Sequence, residues 1–159
     1  MLGVIGALVG ALIGSAASFG GQIYVGHQQV AKEDRDKKAA VYFAYLDAAN
    51  ELANETRDLQ RSYASLPPDA PPPAAAYGEW QTARFKYQGA INDLSVYGSD
   101  AAWDIHRRVA AALPRSLNPS RDPVRVEAVD DARLTSGTQD FLDLACQELP
   151  ASPRAGCGD

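Results

Sequence analysis

Residues 42–66 read YFAYLDAANELANETRDLQRSYASL. Within them Tyr42, Tyr45, Ala49, Leu52, Thr56, Leu59, Tyr63 and Leu66 recur, and after the first step their spacing alternates four and three. A helix turns once in about 3.6 residues, so this spacing lines all of them along one face as a heptad seam. Asp47, Asn54, Asp58 and Arg61 fall on the opposite, solvent-type side. No alternating strand pattern appears, and the expected fold class is all-α.

Downstream, Pro67-Pro68-Asp69-Ala70-Pro71-Pro72-Pro73 must end that helix near Leu66, because proline lacks the amide hydrogen and restricts the residue before it. Residues 67–73 thus form a stiff, Pro-rich corner. Pro68 and Pro71 have the PxxP spacing that docks in aromatic grooves, but a rigid corner between helices accounts for them.

A second helix is expected over 74–97. Its seam is Ala76, Trp80, Ala83, Tyr87, Ala90, Leu94 and Tyr97. Two helices of similar length with matching seams and a short corner predict an antiparallel hairpin. Tyr97-Gly98-Ser99-Asp100 punctuates the chain: Gly98 suits a left-handed helix end and Ser99 an N-cap. A third helix follows over 100–113, with Ala102, Ile105, Val109 and Ala112 facing inward and Pro114 closing it. Asp122-Pro123 resembles a helix start, which predicts a fourth helix over 123–149 with a bend at Gly137. Residues 150–159 read as a disordered tail.

Upstream, no Asp, Glu, Lys or Arg precedes Lys32. Leu2 to Val25 is long enough to span a hydrocarbon core of about 30 Å, and residues 1–26 are expected to be a transmembrane anchor. Ser15, Ser18, Gln22 and the glycines weaken its apolarity. A cleaved signal peptide is disfavoured, because the basic start is missing. Gly6, Gly10, Gly14 and Ser18 are spaced by four and share a helix face, a small-residue row of the kind that lets spanning helices associate. Lys32, Arg35, Lys37 and Lys38 follow the span, and the positive-inside rule then places the rest of the chain in the cytoplasm. Residues 27–66 become a juxtamembrane segment running into the first long helix.

Cys146 and Cys157 are the only cysteines. In the cytoplasm they are expected to be free thiols. If the orientation is reversed and the domain faces outward, they can close a small disulfide loop.

The 159 residues carry a net charge of −5, which excludes an electrostatic footprint for nucleic acid. His106, flanked by Arg107 and Arg108, reads as a partly exposed helix residue; pairing with Cys146 as base and nucleophile has no support in the spacing. Glu127, Asp130, Asp131, Asp140 and Asp143 make an acidic face, but no Glu-x-x-His pair accompanies them, and two cysteines alone do not make a zinc site. No phosphate-loop or dinucleotide fingerprint is present. Neither catalytic residues, nor a metal, nor a cofactor is expected.

The order of features resembles a loose class of uncharacterised small single-span bacterial membrane proteins of the actinobacterial type. The likeness is carried by Tyr42 to Ala48 and by Tyr97-Gly98-Ser99-Asp100-Ala101-Ala102. It implies a small helical domain behind one membrane span, and no activity. Together these readings predict a non-enzymatic, membrane-anchored bundle of three to four helices that acts through self-association or a protein partner. The alternative is a membrane-tethered sensor with a pocket lined by Trp80, Tyr87 and Trp103.

Overall fold

The computed structural model describes residues 3–67, 70–71, 73–114, 127–150 and 157, with side chains from residue 29 onward. Its elements are α1 (Gly3–Ala64), α2 (Ala74–Tyr97), α3 (Asp100–Ala112) and α4 (Asp131–Glu148). There is no strand among the described residues, so the chain is all-α. It divides into two units, Met1–Asp36 and Lys37–Asp159.

The first unit is the N-terminal part of α1. Its side chains are described from Gln29, whose amide donates to Glu33 Oε1 one turn on at 3.3 Å. The expectation of a single-pass membrane protein is overturned: among the described residues no helix is long and apolar enough to cross a membrane. Residues 3–26 do not form a separate element. α1 passes from them without a break into Lys32, Glu33, Asp34, Arg35 and Asp36. The cytoplasmic placement derived from that span is withdrawn with it. The side chains of Gly6, Gly10, Gly14 and Ser18 lie outside the described residues.

The second unit is a four-helix bundle. Thr56 meets Trp80, Glu51 pairs with Lys86, and Tyr45 meets Tyr87, so α1 and α2 run antiparallel. Tyr42 contacts Ser99 and Tyr45 contacts His106, which sets α3 parallel to α1. α4 descends against α1, from Arg57–Asp131 to Lys38–Glu148. The topology is therefore up-down-up-down.

The seams largely hold. Tyr42, Tyr45, Ala49, Leu52, Thr56 and Leu59 of α1 are buried, as are Trp80, Ala83, Tyr87, Ala90 and Leu94 of α2. Tyr97 is the exception: it lies exposed, with Lys37 Nζ 4.6 Å from its ring centroid. Ala102, Ile105, Val109 and Ala112 of α3 face the core with Leu134, Phe141, Leu144 and Ala145 of α4. Removing such side chains from water stabilises the fold by about 1.5–3 kcal/mol each for the larger ones.

Local chemistry sets the ends. α1 stops at Ala64, with Leu66 N–H bonding to Tyr63 O at 3.0 Å just ahead of Pro67. Pro68, Asp69 and Pro72 of the corner lie outside the described residues. Ser99 caps α3, its hydroxyl accepting from Ala102 N–H at 3.1 Å.

Gly98 is not left-handed: its φ is −77° and its ψ 163°. What excludes a side chain there is crowding, because a Cβ would sit 2.5 Å from the Leu94 carbonyl oxygen. α4 begins at Asp131 rather than 123, with the Asp130 carboxylate accepting from Arg133 N–H at 3.0 Å. Residues 127–130 are non-helical, and Asp122-Pro123 lies outside the described residues. Gly137 neither ends nor interrupts α4 but is buried where α3 crosses it.

Candidate functional site

The chemically capable side chains converge where all four helices meet. Tyr45 projects from the α1 seam, Tyr87 from the α2 seam and His106 from α3. Tyr45 Oη lies 2.9 Å from His106 Nδ1 and 3.2 Å from Tyr87 Oη, a three-member hydrogen-bonded chain. Phe141 of α4 stacks on the Tyr45 ring at 5.1 Å, and Trp103 lies 4.7 Å from the imidazole.

His106 is only 8% exposed, against the expectation of a partly exposed residue. The missed signal was positional: His106 stands four residues after Ala102 and three before Val109, on the inward face of α3.

Burial governs the proton affinities here. It pushes the Tyr45 phenol far above its usual range, with the neighbouring Tyr87 adding to the effect. Burial also pushes Tyr87 up to about 12, partly opposed by the hydrogen bond with Tyr45. The His106 imidazole is held below its ordinary value by burial. At neutral pH the chain therefore consists of two neutral phenols and a neutral imidazole.

A second cluster ties the end of α4 to α1. Tyr42 Oη donates to Glu148 Oε2 at 2.7 Å and lies 3.1 Å from Ser99 Oγ. Lys38 Nζ stands 3.5 Å from the same carboxylate oxygen. Burial alone would raise the Glu148 carboxyl, but hydrogen bonds from Tyr42 and Ser99 and the Lys38 charge outweigh it and hold the group below its usual value. Of the four cations expected to set a membrane topology, Lys37 and Lys38 thus pack on this bundle, while Lys32 is exposed and Arg35 half-buried.

Cys146, two residues earlier on α4, is disulfide-bonded to Cys157, with their Cα atoms 5.7 Å apart. The expected free thiols are therefore a cystine. Cys146 is not available as a nucleophile to His106, and at Cys157 the tail is tied down.

The aromatic residues considered for a ligand pocket are placed differently from one another. Trp80 is buried, its indole N–H donating to Thr56 Oγ1 at 3.1 Å, and Thr56 in turn donates to Leu52 O at 2.7 Å. Tyr87 belongs to the chain above, and Trp103 is partly exposed.

A groove between α1 and α2 lies elsewhere, lined by Glu51, Glu55, Ala74, Ala75, Gly78, Glu79 and Thr82. Burial, and then Glu79, Asp58 and Glu51, raise the Glu55 carboxyl. The expected acidic face of α4 is dispersed into separate contacts. Asp130 caps the helix, Asp131 pairs with Arg57, Asp140 pairs with Arg108 at 3.1 Å, and Asp143 accepts from Gln139 at 2.9 Å. Among the described residues no three His, Cys, Asp or Glu side chains are grouped to hold a metal ion.

Comparison with protein-family models, with curated proteins and with solved structures finds no match to this chain.

Proposed function

We propose that this chain is a non-enzymatic helical bundle that acts by association, in the first place with a second copy of itself. The observation that carries this is on α2. Phe85 is 74% exposed and Val96 69% exposed. They stand eleven residues apart, three helical turns, and so lie on one outer face. Large apolar side chains sharing an outer face are a common mark of contact surfaces. The groups with catalytic potential, by contrast, bond to one another: Tyr45, Tyr87 and His106 inside the bundle, and Glu148 with Tyr42 and Lys38 at its edge. The Cys146–Cys157 disulfide supports folding in an oxidising compartment.

Sedimentation equilibrium over a concentration series tests the proposal. The wild-type chain is expected to populate a dimer as concentration rises, and the double variant Phe85→Ser, Val96→Ser to remain monomeric with unchanged helicity. A wild-type chain that stays monomeric throughout, or a double variant that dimerises as well as the wild type, overturns it.

A further inference from the structure

The Tyr87–Tyr45–His106 chain joins α2, α1 and α3 through two hydrogen bonds, 3.2 and 2.9 Å long, around one buried imidazole. A neutral imidazole suits this place in either tautomer. With its proton on Nε2, His106 accepts from Tyr45, which accepts from Tyr87; with the proton on Nδ1, the donors simply reverse. A second proton preserves the Tyr45 contact in the donating sense but adds a full charge to a site that is 8% exposed.

The groups facing that charge offer little compensation. α1 contributes the phenol of Tyr45 and α2 the phenol of Tyr87. α4 contributes Phe141, behind Tyr45. On α3 itself the Trp103 ring lies 4.7 Å away and tilted by 35°, and its attraction for a cation offsets part of the burial cost. The charged residues flanking the site are engaged with one another: Arg107 with Asp104, and Arg108 with Asp140 of α4. No carboxylate is bonded to His106 among the described residues.

We infer that the Tyr87–Tyr45–His106 chain is an acid-sensitive lock, holding α1, α2 and α3 together while His106 is neutral and loosening them when it gains a proton. The direction follows from linkage. Burial weakens the folded state's hold on this proton relative to the unfolded chain. Across the range just below the ordinary imidazole value the unfolded state therefore binds more protons, and stability falls as pH falls. Glu148, held below its usual range, stays out of this window, and Glu55, whose carboxyl is raised, is present in wild type and His106→Asn alike and cancels in their comparison.

The test uses the full chain and two measurements. Urea denaturation at a series of pH values, from about pH 7.5 to about pH 5, is expected to show the wild-type midpoint falling steadily. His106→Asn, which offers Tyr45 a non-titrating partner near the Nδ1 position, is expected to hold a nearly level midpoint. Imidazole NMR titration of the wild type, with His27→Gln to assign the only other histidine, is expected to place His106 below the ordinary imidazole value. The Tyr45 and Tyr87 ring signals are expected to move with the His106 titration. Parallel falls in wild type and His106→Asn overturn the lock. So does a His106 that titrates in the ordinary range without moving the tyrosine signals, a result that stands even if His106→Asn fails to fold.

Discussion

Tyr42 shows how one residue carries two kinds of information. Its ring belongs to the α1 seam and packs edge-on against Phe141 at 5.1 Å, while its hydroxyl reaches Glu148 and Ser99. The ring's role is legible from periodicity alone. The hydroxyl's role is not, because Glu148 lies 106 residues away and no local pattern joins them. Replacing Tyr42 by Phe keeps the ring and removes the bond, at an expected cost of about 1–2 kcal/mol at neutral pH. The cost has a pH signature. Glu148 is held below its usual carboxyl range in the folded state, so its contribution is present at neutral pH and lost as pH falls through that lowered value. Urea midpoints of wild type and Tyr42→Phe are therefore expected to differ clearly at about pH 7 and to converge in acid, once Glu148 has gained its proton. An equal gap at both pH values would show that the bond to ionised Glu148 is not what Tyr42 supplies.

Helices α2 and α3 were readable nearly residue for residue, because Pro73, the Gly98-Ser99 pair and Pro114 are chemical stops and starts written locally. α4 was not. Both Asp122-Pro123 and Asp130-Asp131 are acceptable starts for a helix, and local rules do not rank them. The described structure uses Asp130, whose backbone N–H bonds to Ala112 O at 2.9 Å and so joins the start of α4 to the end of α3.

Gly137 sits inside α4 rather than bending it. Its lack of a side chain matters for packing between helices, since an added Cβ would lie 2.7 Å from Val109 Cγ2 of α3. Ala normally favours a helix over Gly by about 1 kcal/mol. Here Gly137→Ala is nevertheless expected to destabilise by about 1–3 kcal/mol. The double variant Gly137→Ala, Val109→Ala is expected to lose less than the sum of the two single variants in chemical denaturation. Strict additivity would place the clash elsewhere.

At the scale of the whole bundle, the C-terminal residues matter through one covalent link. The disulfide closes a loop with a sequence separation of 11 at the end of α4, two residues from Glu148. Loop-closure entropy puts the stabilisation from such a link at about 2–3 kcal/mol. Reduction by a dithiol, and Cys146→Ser independently, are each expected to lower the unfolding free energy by that amount, read as a lower denaturation midpoint. The α4 amides are expected to lose hydrogen-exchange protection before those of α2. Unchanged midpoints after verified reduction would mean that the bundle holds its α4 end without the link.

The helical class, most of the seams of α1 and α2, the end of α1 ahead of Pro67 and the Ser99 cap are legible in the sequence. These depend on periodicity and on stops and caps within a few residues, interactions that each segment makes with itself. Packing between helices set the rest: His106 is buried, Tyr42 meets Glu148, Gly137 is a crossing point and Cys146 pairs with Cys157. The membrane span expected over the first 26 residues is not found: among the described residues no helix is long and apolar enough to cross a membrane, and Gly3–Ala64 is one helix. Contacts between residues far apart in sequence depend on how helices are set against one another. That arrangement is settled by the packing of the whole core, and no local spacing records it.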